Sequence, residues 1–257
     1  MAIFLFTDFG STDLYVGQVK AVLLDYAPRH SVIDLSHDVP SFNIKAGAHL
    51  LAALLARVPP GGVVLAVVDP GVGSARGAMA VRADGRWLVG PDNGLLSVAA
   101  ARAAKQESYS ITWRPDQLSD SFHGRDLFAP VAGLLARGDR KAARLRKAPL
   151  GVALGASDLA EVIYVDHFGN VVTGLRARAL GRDHVLVTNG IRIPYARVYS
   201  EVPQGQLFWY ENSLGLVEVA ANSAHAQRLL GVEPGCPLRA EDGAKAPIRV
   251  GRGHAIG

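Results

Sequence analysis

GVVLAVV, at Gly62–Val68, is the stretch that decides the fold, because an unbroken, mostly β-branched run is typical of a strand buried on both faces of a parallel sheet. Two shorter apolar runs, Ala2–Thr7 and Ser31–Leu35, predict further strands before it. Apolar residues at helical spacing lie between the three strands. They are Val19, Val22, Leu23 and Tyr26, and then Ile44, Ala48, Leu51, Leu55 and Val58. This alternation predicts an α/β N-terminal domain with a mainly parallel sheet.

The second half of the chain has the pattern of an antiparallel β domain. Asn189-Gly190 between two apolar runs is a strong signal for a two-residue hairpin. The predicted strands are Glu161–Val165, Asn170–Leu175, His184–Thr188, Ile191–Pro194, a run around Phe208–Tyr210, and Leu216–Val219. We therefore predict an α/β catalytic domain at 1–140, a linker at 141–158 and a smaller all-β, barrel-like domain at 159–257.

Composition narrows the function classes. With 257 residues, 49% of them hydrophobic, the chain is too apolar to be disordered. Its apolar runs are shorter than the ~20 residues that a membrane helix needs, and we expect no membrane association. Cys236 is the one cysteine and cannot form an internal disulfide, and the N-terminus shows no basic leader. Both features favour a cytoplasmic protein.

A modest positive charge raises the question of a nucleic-acid partner. The net charge is +4, and basic residues concentrate in the segment Arg137–Gly155. No aromatic residues interleave with them for base stacking, so we interpret the segment as a solvated face and predict no nucleic-acid partner. An RNA-binding module remains an alternative.

Several familiar chemistries have no support in the sequence. The glycines of Asp69–Gly77 have the wrong spacing for a dinucleotide fingerprint, and the residues after them predict a strand instead of a helix. We find no GxxxxGK[ST] phosphate loop, no HExxH and no GxSxG. We therefore predict no metal site.

Polar residues follow the predicted strands at the positions where α/β proteins bind ligands. Asp8 closes the first strand, Asp69 closes the central one, and His123 precedes a helix. Individually, the acids could be helix caps or turn residues, and the histidine could be structural. Together with nearby Arg76, they could orient and polarise a water molecule.

Six motifs carry a family resemblance, and they occur in order along nearly the whole chain. They are Thr7-Asp8-Phe9-Gly10, Val68-Asp69-Pro70-Gly71-Val72-Gly73, Gly90-Pro91-Asp92-Asn93-Gly94, Phe122-His123-Gly124-Arg125-Asp126, Asp166-His167-Phe168-Gly169-Asn170 and Asn212-Ser213-Leu214-Gly215. This set resembles the S-adenosyl-L-methionine (SAM) hydrolase (adenosine-forming) family, which is homologous to the fluorinases and chlorinases. The resemblance implies attack of water on C5′ of the ribose, giving adenosine and L-methionine. It implies no cofactor, and a homotrimer with active sites between the N-terminal domain of one subunit and the C-terminal domain of its neighbour.

The resemblance also implies a catalytic triad of Asp69, Arg76 and His123. In the halogenases the matching positions hold residues such as Tyr and Thr, so the charged triad favours a hydrolase. The triad could act as a general base or could hold a hydroxide. The alternatives are a SAM-dependent halogenase and a SAM or adenosine sensor without useful turnover.

The resemblance also implies residues that contact the ribose, the adenine and the methionine part of the substrate, and two further binding residues. Asp8 matches the acid that binds the ribose hydroxyls, and Phe42 occupies the position of an aromatic that packs on the ribose. The adenine side is implied to be Phe168, Asn170 and Tyr199, and the methionine side Asp13, Asp166 and Ser213. Asn93 and Glu218 complete the implied substrate-binding set. The Asp166 motif is one residue shorter than in the halogenases, and Leu214 replaces the arginine that they place after the serine.

Overall fold

The computed structural model describes residues 2–243, which form an N-terminal α/β domain and a sheet-rich C-terminal domain. The strands of the N-terminal domain are β1 (Ala2–Thr7), β2 (Ser31–Ser36), β3 (Val63–Val67), β4 (Ala78–Ala83), β5 (Arg86–Pro91), β6 (Gln106–Ile111) and β7 (Leu145–Lys147). Its helices are α1 (Tyr15–Tyr26), α2 (Ile44–Leu54), α3 (Ser97–Arg102) and α4 (Ala129–Ala136). A 3₁₀ turn at Leu55–Arg57 follows α2, and a π-helical turn at Gly124–Phe128 leads into α4.

The N-terminal sheet is mixed, which corrects the prediction of a mainly parallel one. Its order is β2-β1-β3-β5-β4-β6-β7; the first four strands are parallel, and β4, β6 and β7 pair antiparallel. The change of direction comes from the tight turn at Asp84-Gly85, where both residues have positive φ. A two-residue turn can join only antiparallel neighbours.

The central strand is buried as its sequence predicts. Every residue of β3 is buried, with helices α1 and α4 on one face of the sheet and α2 and α3 on the other. The carboxyl ends of the parallel strands therefore open toward one edge of the domain.

The C-terminal domain consists of two antiparallel sheets. Its elements are β8 (Leu159–Val165), β9 (Val171–Arg176), β10 (His184–Thr188), β11 (Ile191–Ile193), β12 (Leu207–Glu211), β13 (Leu216–Ala221), α5 (Ala226–Leu230) and β14 (Arg239–Asp242). The sheet orders are β12-β13-β9-β8 and β11-β10-β14. The hairpin at Asn189-Gly190 is confirmed, with both residues at positive φ. Single bridges connect Glu161 of β8 to Pro237, just before β14, and Trp209 of β12 to Tyr195, just after β11. Closure into a barrel stays a prediction, and residues 244–257 of the predicted domain lie outside the described residues.

The predicted linker is partly structured. Its residues Leu145–Lys147 form β7 at the edge of the N-terminal sheet, and the backbone N–H of Gly151 donates to the Asp92 carboxylate. The C-terminal domain contributes Ile163, Val172 and Leu216 to the core beside α2. Within residues 2–243, no helix is long and apolar enough to cross a membrane.

Candidate active site

A cavity of about 350 Å³ lies at the carboxyl ends of β1 and β3. Five residues predicted for the site line it: Asp8, Asp13, Phe42, Asp69 and His123. Four separate loops bring them together, because each loop leaves the same edge of the sheet or packs against it. This is the location expected for ligands in α/β proteins.

Arg76 joins the two other members of the predicted triad. Its Nε donates to Asp69 Oδ1 at 3.0 Å and its Nη2 to Asp69 Oδ2, so the pair is bidentate. The same Nη2 lies 3.0 Å from Nδ1 of His123. The Asp69 and Arg76 side chains are only 5% and 10% exposed. Charge-assisted pairs of this kind are strong and geometrically specific.

This contact determines the tautomer of His123. A guanidinium only donates hydrogen bonds, so Nδ1 of His123 accepts and the proton of the neutral ring lies on Nε2. Burial, with a further contribution from the Arg76 charge, lowers the pKa of His123 below its usual value. The neutral ring therefore presents an N–H donor at Nε2, and not a second acceptor.

Asp8 leaves β1 into the same cavity. Burial raises the pKa of its carboxyl above the usual value, the backbone N–H of Phe42 opposes this, and the charge of Asp69 adds to the rise. That N–H donates to Asp8 Oδ2 at 3.2 Å. Phe42 has φ of +63°, which is uncommon for a residue with a bulky side chain, and its ring is 73% exposed. An aromatic side chain is thus left largely exposed at the cavity.

His37 supports this loop and was missed at the level of sequence. Its ring is buried, and Nδ1 lies 2.8 Å from Oγ1 of Thr7, which in turn accepts from the N–H of Phe9 at 3.3 Å. Its own carbonyl accepts from the N–H of Gly10 at 2.8 Å. His37 therefore holds the residues on both sides of Asp8. The available signal was a histidine directly after β2, at a strand end.

The aromatic and amide residues of the C-terminal domain form a separate cleft. Phe168, Asn170 and Tyr199 line a cavity of about 440 Å³, and the Phe168 ring is 74% exposed. Asn170 Nδ2 donates to Asp166 Oδ2 at 2.9 Å, and Oδ1 accepts from the Tyr199 hydroxyl at 3.3 Å. Because a carboxylate only accepts, Asp166 determines which way the amide points. One N–H and one lone pair of Asn170 are left for a ligand.

Four predicted substrate residues line neither cavity. Asp166 uses Oδ1 for the backbone N–H groups of Phe168 and Asn170, within its own loop. Asn93 donates to the carbonyl of Val68 at 2.8 Å. Their roles as substrate contacts stay predictions.

The other two of these four lie in or beside the β12–β13 hairpin. Glu218 is buried, and its carboxylate accepts hydrogen bonds from the Tyr210 hydroxyl and from Asn212 Nδ2. The pKa of Tyr210 is raised, mainly by burial and secondly by its hydrogen bond to Glu218. Ser213 is exposed in the hairpin, where its carbonyl accepts from Arg57. These two roles also stay predictions. Among residues 2–243 there is no group of three or more His, Cys, Asp or Glu side chains that could hold a metal ion.

The fold and the cavity define a two-domain protein whose α/β half carries an acid–guanidinium–imidazole centre at its strand ends. Comparison with known proteins gives the family. The SAM hydroxide adenosyltransferase N-terminal domain matches residues 3–145, and the C-terminal domain of the same family matches residues 160–239. The chain belongs to this family, as its motifs predicted.

Individual relatives agree over nearly the full length. A protein of Thermus thermophilus named (R)-S-adenosyl-L-methionine hydrolase is 38% identical, covering 92% of this chain and 98% of its own. One of the same name from Salinispora arenicola is 40% identical, covering 92% and 96%. The crystal structure of an uncharacterized conserved protein from Thermotoga maritima superposes with a TM-score of 0.83 at 30% identity, covering 93% and 99%. A fluorinase of Actinoplanes sp. is more distant, at 23% identity over 85% and 90%.

Proposed function

We propose that this protein hydrolyses SAM by attack of water or hydroxide on C5′ of the ribose, releasing adenosine and L-methionine. The observation that carries the proposal is the hydrogen-bonded Asp69–Arg76–His123 centre, of which Asp69 and His123 line the strand-end cavity. Family membership and full-length relatives named as hydrolases support it. Since those names specify the (R) epimer at sulfur, we include a preference for this epimer in the proposal.

The chemistry requires an activated oxygen and little else. The O–C5′ bond forms as the C5′–S bond breaks, and the electron pair of that bond neutralises the sulfonium to give a thioether. A neutral thioether leaves without protonation, so no general acid is needed. The demanding component is the nucleophile, because neutral water displaces poorly at carbon, and in-line positioning of the oxygen and C5′ would supply much of the acceleration.

The triad geometry favours a bound hydroxide over a histidine base. Arg76 stays cationic, and His123 offers an N–H at Nε2, so both supply positive potential or donors to an oxygen anion. Asp69 keeps lone pairs beyond its two bonds to Arg76 and can accept from the remaining O–H. The proton released when water becomes hydroxide leaves to solvent. Neutral His123 is the active form in this scheme.

The substrate site is proposed to be completed by a second subunit of a homotrimer. Asp8, Asp69 and His123 line one cavity, whereas Phe168 and Asn170 line another, and the two share no lining residue. Phe42 and Phe168 are each about three-quarters exposed, at 73% and 74%. A neighbouring C-terminal cleft placed over the N-terminal cavity would cover both rings and enclose the nucleoside.

Three further expectations belong to the same proposal. The C-terminal sheets are proposed to close into a barrel through the bridges described above, which would make the adenine cleft rigid. The reaction is proposed to need no cofactor or metal, because the leaving group needs no Lewis acid. A single cysteine supports a cytoplasmic location.

Incubation with each SAM epimer in ¹⁸O-labelled water tests the reaction. We expect adenosine carrying the label on its 5′-oxygen, with faster release from the (R) epimer. The Asp69→Asn protein is the matched control. A 5′-halo-5′-deoxyadenosine formed in place of adenosine when chloride or fluoride is present would show a halogenase instead. Tight SAM binding with no adenosine release from either epimer would show a sensor.

A further inference from the structure

A third cavity, of about 410 Å³, lies where the two domains meet, and we call it the seam pocket. The N-terminal domain contributes the end of α2 and Arg102 at the end of α3. The C-terminal domain contributes Arg176 and Arg178, at and just after the end of β9, and the β12–β13 hairpin. None of its lining residues lines the candidate active site or the adenine cleft.

A half-buried ion cluster forms one wall of the seam pocket. Arg102 and Arg176 both donate to Oδ1 of Asp158, at 3.2 and 2.5 Å. The side chains of Arg102 and Asp158 are 14% and 16% exposed. The pKa of Arg102 is lowered, mainly by burial and secondly by the charge of Arg176. The pKa of adjacent His49 is lowered to about 4, mainly by burial and secondly by the charge of Arg102. With two guanidinium groups on one carboxylate, this ion cluster carries a net positive charge.

Beside this cluster, Arg178 adds a positive charge that no carboxylate of residues 2–243 balances. Glu211 lines the pocket but is paired with Arg182 at 2.5 Å. Arg178 is exposed and, within residues 2–243, has no hydrogen bond or ion pair. Within residues 2–243, the guanidinium groups of Arg102, Arg176, Arg178 and Arg182 share two carboxylates, those of Asp158 and Glu211. Arg57 adds a further cation beside the pocket, where it donates to the Ser213 carbonyl. At least two positive charges are therefore uncompensated.

The rest of the lining is apolar. It consists of Ala52, Ala53, Ala56, Ala156, Leu214 and Leu216, with Gly215 in the hairpin. A cavity of several hundred Å³ that combines apolar surface with a few convergent polar groups is typical of a small-molecule site.

We propose that the seam pocket binds a small organic phosphate monoester. A phosphate monoester carries between about −1.5 and −2 charges at neutral pH, which compensates this excess of positive charge better than the single charge of a monocarboxylate does. Guanidinium groups fit phosphate oxygens through paired N–H donors. The phosphate lies among Arg102, Arg176 and Arg178, and the organic part lies on the alanine surface. Such a ligand joins the two domains and contacts the hairpin that carries Ser213.

Isothermal titration calorimetry of the full-length protein with phenyl phosphate, which measures the heat of binding, tests this proposal. We expect saturable binding that weakens with salt, and at least fivefold weaker binding of benzenesulfonate, which has one charge fewer. Arg178→Gln removes one cation and should weaken phenyl phosphate about tenfold. Ala56→Phe fills the apolar side from an exposed position and should weaken it similarly. Arg197→Gln, at an arginine that lines none of these cavities, is the matched control and should bind as the unmodified protein does.

The outcomes separate this site from the proposed active site. Absence of binding at millimolar phenyl phosphate, or equal affinity in Arg178→Gln, Ala56→Phe and the control, would overturn the proposal. Displacement of phenyl phosphate by SAM or adenosine would also overturn it, because the probe would then occupy the nucleoside site. The Arg178→Gln and Ala56→Phe proteins should release adenosine from SAM at the rate of the unmodified protein. A failure of the hydrolase proposal would leave the titration result unaffected.

Discussion

Replacing Arg76 by lysine keeps the positive charge and removes the fork that joins Asp69 to His123. The arginine makes two bonds to Asp69 and one to His123 through two of its nitrogens. A single ammonium on a flexible stem cannot reproduce that planar arrangement, so we expect two of the three contacts to be lost. Each hydrogen bond to a charged group contributes about 1.5–3 kcal/mol. If about 3 kcal/mol of that total acts in the transition state, kcat falls about a hundredfold.

Single-turnover adenosine release at saturating SAM is the assay for Arg76→Lys, with thermal unfolding as the check on folding. Arg197→Lys, on the protein surface, is the matched control and should behave as the unmodified enzyme. Arg76→Ala should be worse in both readouts, because it leaves Asp69 buried without a partner, at a cost of about 3–5 kcal/mol in the free energy of unfolding. A folded Arg76→Lys protein that releases adenosine within about threefold of the rate of the unmodified protein would show that the paired hydrogen bonds of Arg76 to Asp69 and His123 are not needed for catalysis.

The remaining predictions concern pH, recognition and assembly. Because the pKa of His123 is lowered and its neutral form is the active one, His123 should give a step in which kcat rises with pH through a midpoint below about 6.5, the usual value for histidine. Ionisation of the bound water adds a second rise of its own. A pH–rate profile checks this, and only the His123 step should be absent from His123→Asn. Asp8→Ala should raise KM by at least tenfold and lower kcat much less, since Asp8 is proposed to hold the ribose; steady-state kinetics separate the two. Mixed trimers of Asp69→Asn and Asn170→Ala subunits should recover activity that neither variant has alone. No recovery, together with an active monomer by sedimentation, would contradict a shared site.

The α/β half of the fold could be predicted because its signals are local. The run at Gly62–Val68 and the helical spacing of Val19 to Tyr26 each report burial directly. The antiparallel edge was predictable only at its start, where Asp84-Gly85 between β4 and β5 is a local hairpin signal. The position of β6 (Gln106–Ile111) was not, since this strand is mostly polar and exposed at one end. Its place in the sheet depends on pairing with β4, which lies more than twenty residues earlier in the sequence. Such long-range pairing leaves little trace in local sequence pattern.

The site could be predicted in part for a similar reason. Strand ends meet at one edge, so the approach of Asp8 and Asp69 follows from topology. The hydrogen-bond roles do not follow, because they depend on side-chain reach: Arg76 occupies Nδ1 of His123, and Asp166 turns inward to orient Asn170. The buried His37 was missed because its function is support and not contact.

Single-turnover adenosine release by Asp69→Asn and His123→Ala at saturating SAM tests the role of the triad most directly. Asp69→Asn keeps the size of the side chain and removes its charge, and His123→Ala removes the Nε2 donor. We expect each variant to be at least about a hundredfold slower than the unmodified protein while SAM affinity changes much less, with the double variant far from additive. Rates close to those of the unmodified protein in both variants would exclude a catalytic triad, and would leave Asp69 as a turn residue and His123 as a structural one.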